Sequence, residues 1–204
     1  MKIGILGAGG VGSQLGRGWA VEGHEVMFSS RDPRSEKMQT LIGAIGANAR
    51  TGTVAETVAF GEVIAVAVGW DALPEILRGV PDWSGKVIMD ATNRFGPAPA
   101  GSVGSAAEDI AHITGAPVVK AFNTIGAESM IHPDFGGEIP TMFIAGDDAA
   151  AKALVTTLTE SLGFEVVDAG PLANAPLLEN LGRLWVSLAR GGYGRRIAFK
   201  LLRP

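Results

Sequence analysis

The chain has 204 residues, of which 47% are apolar, and it carries a formal net charge of −4 at pH 7. It contains no cysteine and three separated histidines, which excludes disulfides and thiolate chemistry and argues against a histidine-based metal site. The acidic balance argues against nucleic acid as a partner, and no apolar run has the length of a membrane span, so we expect a cytoplasmic protein that binds neither nucleic acid nor membrane.

Short apolar segments alternate with segments of helical length along most of the chain. The apolar segments predict eight strands, at residues 2–6, 25–29, 48–51, 63–68, 86–90, 118–121, 141–145 and 165–168. Between them the sequence predicts helices at residues 11–22, 34–42, 54–60, 71–77, 106–113 and 149–162. A final helix is predicted from residue 172 to about 190, where "GGYG" interrupts it, and "RRIAFKLL" is a candidate continuation.

This alternation predicts an α/β fold, a doubly wound and mostly parallel sheet with a small helical C-terminal part. The near-continuous apolar character of "VIAVAV" is typical of a strand that is covered on both faces. A boundary near residue 147 would separate a main domain, 1–146, from a small C-terminal α/β region, 147–204. The composition shifts little there, so one continuous domain is the alternative.

The motif "GAGGVG" follows the first predicted strand directly and opens the first predicted helix. Gly7 permits a tight turn, Gly9 lets a pyrophosphate approach the backbone, and Gly12 lets helix and strand pack closely. The helix N-terminus offers unpaired N–H groups and a partial positive charge to the phosphates. The motif predicts a dinucleotide site formed by six consecutive residues: Gly7, Ala8, Gly9, Gly10, Val11 and Gly12.

The second predicted strand ends in "GHEVMFSSR", where dinucleotide-binding chains commonly place an acidic residue for the ribose hydroxyls. Ser30 occupies that position and Arg31 follows it, a pair that would accept a 2′-phosphate and therefore favours NADP over NAD. Arg34 and Lys37, one helical turn further on, could add positive charge. Asp32 has the spacing that an NAD enzyme would use, but it lies beyond the strand before a proline, where an aspartate commonly caps a helix.

Polar residues also follow the fourth and fifth predicted strands, at the edge where doubly wound sheets bind ligands. In "GWD", Gly69 would let the cofactor come close, and Trp70 could line the nicotinamide pocket or simply pack against the next helix. In "DATN", Asn93 is a candidate cofactor contact, and Asp90 is as well suited to holding the loop as to touching a substrate.

The stretch "VVKAFNTIGAESM" leads from a strand into small polar residues and then into Gly126, which is predicted to open a helix. Asn123 and Thr124 suit hydrogen bonding to a nicotinamide carboxamide or to a second ring system. Glu128 could act as a general acid, although a glutamate that favours the helix dipole is the simpler interpretation. His132, before a proline, is interpreted as structural or exposed.

Five segments together resemble the NADP-dependent reductases of the deazaflavin coenzyme F420: "GAGGVG", "GHEVMFSSR", "KAFNTIGAESM", "GDDAAAK" and "LGFEVVDAGPLANAPLLE". They are also similar to the cytosolic oxidoreductase domain of the six-transmembrane metalloreductases. The resemblance implies a Rossmann-type NADP-binding domain, a homodimer, 2′-phosphate recognition by Ser30 and Arg31, and ring contacts from Asn123, Thr124 and Ile125. Archaeal F420 reductases differ in having a longer first turn that contains a threonine, and a histidine where Asn123 stands.

The resemblance and the absence of paired acids or cysteine lead to a leading hypothesis of hydride transfer between NADP(H) and coenzyme F420, a small-molecule acceptor. Two stacked rings need orientation rather than a catalytic side chain, so we expect no catalytic residue and no metal. N–H groups near Gly126 could meet charge that develops on the acceptor ring. Reduction of free flavin, an imine or a ferric chelate is the first alternative, and a non-catalytic NADPH-binding sensor module is the second.

Overall fold

The computed structural model describes residues 1–98 and 100–204, and an eight-stranded sheet forms its centre. The strands lie in the order β3-β2-β1-β4-β5-β6-β7-β8, in which only the β6–β7 pair is antiparallel. The strands are β1 (Lys2–Leu6), β2 (Glu25–Ser29), β3 (Ala49–Gly52), β4 (Val63–Val66), β5 (Val87–Asp90), β6 (Val118–Lys120), β7 (Thr141–Gly146) and β8 (Glu165–Asp168). The predicted doubly wound, mostly parallel sheet is confirmed.

Helices cover both faces of the sheet. They are α1 (Gly10–Val21), α2 (Glu36–Ile45), α3 (Val54–Phe60), α4 (Leu73–Arg78), α5 (Ala106–Thr114), α6 (Ala149–Glu160) and α7 (Ala175–Leu188). Alternate residues of β4 point into opposite cores: Val63 packs with α1, α2 and α6, whereas Ile64 packs with α3, α4 and α5. Burial of both faces is the reason that this strand reads as a continuous apolar run.

The connection from β6 to β7 explains the single antiparallel pair. A parallel neighbour requires a crossover connection, usually with a helix, whereas this connection contains only a 3₁₀ turn at Ala127–Ser129. The prediction that a helix begins after Gly126 is therefore wrong, because one short 3₁₀ turn lies there instead. Similarly, a 3₁₀ turn at Trp70–Ala72 takes the place of the first residues of the helix predicted at 71–77.

The C-terminal part differs most from its prediction. After α7 the chain makes a wide turn, Ala189–Tyr193, and does not resume a helix. The tail instead lies beside β7, where the Thr141 N–H donates to the Phe199 carbonyl and the Leu201 N–H donates to Thr141 Oγ1. Packing against a strand thus decides the conformation of "RRIAFKLL". Strands β7 and β8 continue the main sheet on either side of residue 146. The division of the chain into two domains at this residue stays a prediction.

Helix α7 presents apolar side chains to solvent as well as to the core. Leu177 and Leu184 are 63% and 48% exposed, although the opposite side of the helix is buried. Such a face is typical of an interface, and it is the surface through which we expect the predicted homodimer to form.

None of the helices in the described part of the chain is long and apolar enough to cross a membrane.

Candidate cofactor and acceptor site

The glycine turn after β1 has one crowded side and one open side. Gly7 has a φ of 107°, a conformation that favours glycine, and a Cβ on Gly12 would lie 2.0 Å from the Gly7 carbonyl oxygen. A Cβ on Gly9, by contrast, would have no atom within 4 Å. The backbone is therefore packed tightly against β1 from behind and is accessible from the front, as a phosphate-binding turn requires.

Ser29, the last residue of β2, and Ser30, which follows it, have different structural roles. The Gly7 N–H donates to Ser29 Oγ at 3.2 Å, so the first hydroxyl ties the glycine turn to β2. Ser30 Oγ accepts from the Asp32 N–H at 3.1 Å and shapes the loop that follows. Ser29 had no role in the sequence analysis, because only its proximity to the turn in the folded chain reveals one.

Asp32 closes a turn and does not cap the following helix. Its Oδ1 accepts from the Arg34 N–H at 3.1 Å, whereas α2 begins at Glu36 with Ser35 as the N-cap residue. The capping interpretation of Asp32 is therefore wrong. The carboxylate is used within its own loop, so it is less available to ribose hydroxyls than an acidic residue at the strand end would be.

A cleft of about 900 Å³ extends from the glycine turn past the end of β2. Gly7, Ala8 and Gly9 line one end, and Ser30, Arg31 and Lys37 line the other. Among the described residues, no carboxylate forms an ion pair with Arg31, Arg34 or Lys37. The cleft thus combines the backbone of the glycine turn with two cations that have no ion-pair partner among the described residues, and it also includes one carboxylate, Glu75. Backbone N–H groups and free cations suit a ligand with phosphates at two places.

Beyond β4, Gly69 and Trp70 have different surroundings. A Cβ on Gly69 would have no atom within 4 Å, so that backbone is open to a ligand. The half-buried Trp70 ring lies 5.4 Å from the Arg94 guanidinium, which forms a buried ion pair with Asp109 at 2.7 Å. This contact gives the indole a packing role, and a contact with nicotinamide stays a prediction.

The first of the predicted acceptor residues, Asn123, lies beyond β6 and is paired with Asn93, the predicted cofactor contact that follows β5. Asn93 Nδ2 donates to the Asn123 carbonyl at 2.7 Å, and Asn123 Nδ2 donates to Asn93 Oδ1 at 3.0 Å and to the Leu178 carbonyl at 2.8 Å. Both donors of Asn123 are thereby used, while its buried Oδ1 has no partner among the described residues. Phe122, just before it, has a φ of 58°, which is unusual for a bulky residue.

A buried charge network that the sequence analysis missed lies directly behind this edge. Lys120 Nζ is 2.8 Å from Asp90 Oδ2 and 3.4 Å from Glu179 Oε1, and the lysine is fully buried. It also donates to the Thr92 carbonyl, while Glu179 accepts from the Ala106 N–H at the start of α5. The network joins β5, β6, α5 and α7. Asp90 therefore serves to hold the loop that follows β5. The available signal was a lysine inside the apolar run "PVVKAF".

Glu128 and His132 are poorly placed for proton transfer. Burial would raise the pKa of Glu128, but two hydrogen bonds and the charge of Arg195, 2.8 Å away, outweigh it and hold the pKa below its ordinary value. A carboxylate that stays ionised is a poor general acid. The His132 side chain is 60% exposed and lies 3.6 Å from Glu22 at the end of α1.

The family described as NADP oxidoreductase, coenzyme F420-dependent, matches residues 2–94. A proposed F420-dependent NADP reductase of Arthrobacter sp. FB24 is 30% identical, superposes with a TM-score of 0.84, and each chain covers all of the other. The chain belongs to this family. A hypothetical protein of Sinorhizobium meliloti is 31% identical, with a TM-score of 0.73 and coverage of 86% of this chain and 88% of the other.

This member of the F420-dependent NADP oxidoreductase family is also similar to Metalloreductase STEAP3 of Rattus norvegicus, with 30% identity over 179 residues. That match covers 87% of this chain, but the chain spans only 36% of the length of the metalloreductase. The family establishes an NADP-dependent oxidoreductase with a Rossmann-type fold. Membership of the family does not identify the electron acceptor.

The residues present fit NADP(H) as the cofactor of this family member. The open face at Gly9 and the start of α1 would hold the pyrophosphate, and Arg31 with Lys37 would meet a 2′-phosphate. Gly10 and Val11 begin the helix, and Gly12 lies behind the turn, so these three would act through the backbone. The individual contacts stay predictions.

Proposed function

We propose that this protein transfers a hydride between NADPH and the deazaflavin coenzyme F420. The observation that carries the proposal is the close approach of the start of α1, beside the glycine turn, to the 3₁₀ turn that follows the predicted acceptor residues. A Cβ on Gly10 would lie 3.5 Å from the Cβ of Ala127, the residue that follows Gly126. A ring held at the carboxyl ends of β5 and β6 would therefore meet a cofactor held at the turn.

Recognition of the 2′-phosphate is the first part of this function. Arg31 is exposed at the end of the cleft, and its guanidinium has the planar donor geometry that matches a phosphate. Lys37 adds a second cation in the same wall. The Asp32 carboxylate, next to Arg31 in the sequence, accepts from the Arg34 N–H and is therefore used within its own loop. These features favour NADPH over NADH.

Orientation is the contribution of the acceptor edge. When bound, nicotinamide and deazaflavin supply the hydride donor and the hydride acceptor. Asn93 and Asn123 hold each other, and the Lys120 network anchors the strands that carry them, so this edge is rigid before any ligand binds. Buried Thr124, Ile125 and Gly126 would exclude water from the reacting atoms.

A flavin or another small acceptor is the alternative, and the 30% identity to a metalloreductase favours it. A non-catalytic NADPH-binding module would not require the rigid acceptor edge. The test mixes the protein with NADPH and either F420 or FMN in a stopped-flow instrument and follows the absorbance of both partners. Faster reduction of F420 supports the proposal, faster reduction of FMN supports the alternative, and no reduction of either supports the binding module.

Cofactor choice is tested with Arg31→Ala. A charge-assisted hydrogen bond contributes about 1.5–3 kcal/mol, so the variant should bind NADPH about tenfold to a hundredfold more weakly. NADH binding should hardly change. Arg17→Ala is the matched control, since Arg17 is an exposed arginine of α1 that does not line the cleft. Equal losses for NADPH and NADH would show that Arg31 does not read the phosphate.

A further inference from the structure

A second pocket, of about 580 Å³, lies where α7 ends. Its wall combines two aromatic rings, two small apolar side chains and two guanidinium groups. The lining residues are Phe95, Trp185, Val186, Ala189, Arg190 and Arg195. None of these residues belongs to a motif that predicts a ligand contact, and the proposed hydride transfer does not use them.

The pocket adjoins the acceptor edge through two close backbone approaches. Gly182 of α7 packs on the paired asparagines, since a Cβ there would lie 2.6 Å from Asn93 Oδ1 and 2.8 Å from the Asn123 carbonyl. On the other side, a Cβ on Gly126 would lie 3.0 Å from the Arg195 carbonyl. Arg195, which lines the pocket, is thus a direct neighbour of Gly126, one of the predicted acceptor residues.

The walls of the pocket are held in place by hydrogen bonds. Trp185 Nε1 donates to the Ile197 carbonyl at 2.8 Å, and Arg183 donates to the Arg94 carbonyl at 3.0 Å. The second bond anchors the loop that carries Phe95, whose ring is nevertheless 57% exposed. An exposed aromatic ring on an anchored loop suits contact with a ligand better than a place in the core.

The charge of the pocket is positive on balance. Arg195 lies 5.3 Å from the Trp185 ring and donates two hydrogen bonds to Glu128, so its charge is largely compensated. Arg190, by contrast, has no ion-pair partner within residues 1–98 and 100–204. Arg190 is exposed and lines the pocket, so its guanidinium is available for a charge-assisted hydrogen bond to an anion there.

We propose that this pocket binds the phosphate-bearing side chain of the hydride acceptor, with Arg190 as the cation that contacts the phosphate. The inference rests on the proposed function, because the acceptor ring must lie on the edge formed by Asn93 and Asn123. It adds a specificity determinant: acceptors that carry a phosphate on the chain attached to the ring bind better than the same rings without it.

The experiment measures equilibrium binding, which does not depend on turnover. Wild type and Arg190→Ala are titrated with F420, with its phosphate-free ribityl deazaflavin, with FMN and with riboflavin, and ligand fluorescence is recorded. We expect Arg190→Ala to weaken the phosphate-bearing ligand of at least one pair about fivefold to twentyfold and to leave the phosphate-free one unchanged, because a single exposed charge-assisted contact is lost. Arg190→Lys should retain part of the affinity.

Arg196→Ala is the matched control, since it removes the same charge from an exposed arginine that does not line the pocket. Equal effects of Arg190→Ala and Arg196→Ala, equal losses for both members of a pair, or no binding of any of the four ligands would overturn the inference. If Arg190 discriminates between the phosphate-bearing and phosphate-free ligands but the absorbance assay shows no hydride transfer, the proposed function is wrong and the binding site is still supported.

Discussion

Replacing Lys120 with methionine tests whether the buried charge network holds the acceptor edge. The change removes the only cation of the network and leaves Asp90 and Glu179 buried without it, at 0% and 3% exposure. Removing one partner of a buried ion pair typically costs about 3–5 kcal/mol, because the remaining charge has neither water nor a counter-ion. For a chain of this length, 1 kcal/mol corresponds to about 2–4 °C in Tm, so we expect a loss of about 6–20 °C.

The assay is thermal unfolding followed by circular dichroism, and Lys152→Met is the matched control. Lys152 forms an ion pair of nearly the same length with Asp168, 2.7 Å, but the Asp168 side chain is 53% exposed. Exposed pairs contribute up to about 1 kcal/mol, so the control should lose less than about 4 °C. Adding Asp90→Asn and Glu179→Gln to Lys120→Met should recover much of the loss, which also covers the case in which the single variant does not fold. A Tm of Lys120→Met within about 2 °C of wild type would refute the reasoning.

Glycine substitutions should separate packing from ligand access: Gly12→Ala places a Cβ 2.0 Å from a backbone carbonyl and should lower the free energy of unfolding in urea by about 1–3 kcal/mol. Gly9→Ala has free space and should instead weaken NADPH binding more than tenfold in a fluorescence titration, and the opposite pattern would contradict the assigned roles. Light scattering should give a mass near twice the 21.0 kDa of one chain, and Leu184→Glu should lower it to that of one chain, whereas an unchanged dimer would exclude this face of α7. Glu128→Ala should lower the hydride-transfer rate less than about tenfold, because the carboxyl stays ionised at neutral pH, and a larger fall with intact NADPH binding would reveal a missed catalytic group. The pKa of Glu128 is lowered in the folded protein, so its ion pair with Arg195 stabilises the fold at pH values above the ordinary carboxyl pKa. This stabilisation should disappear as the pH falls through the lowered pKa. Glu128→Ala should therefore flatten the acid side of a plot of stability against pH.

The sequence by itself determined the local secondary-structure elements and the class of cofactor, NADP. Strands β1, β2 and β8 begin and end at the predicted residues. For β1 and β2 the reason is that a strand buried in a parallel sheet needs an apolar run that stands out from its surroundings. The edge strand β8 was marked by its short apolar pair alone. The glycine turn and the Ser30–Arg31 pair were equally recognisable as patterns, since turn geometry and phosphate recognition depend on neighbouring residues, although their contacts with NADP stay predictions. These features were sufficient to predict an NADP-binding α/β protein.

Tertiary structure alone decided which distant residues meet. Lys120 was read as part of a strand, and its role depends on Asp90, 30 positions earlier, and Glu179, 59 positions later. Arg195 reaches Glu128 across 67 positions, and β7 fixes the conformation of the tail that a local pattern had predicted as helix. The physical reason is that backbone propensity acts over a few residues, whereas the stabilisation of a buried charge or of an extended tail comes from partners that only the folded topology brings within hydrogen-bonding distance.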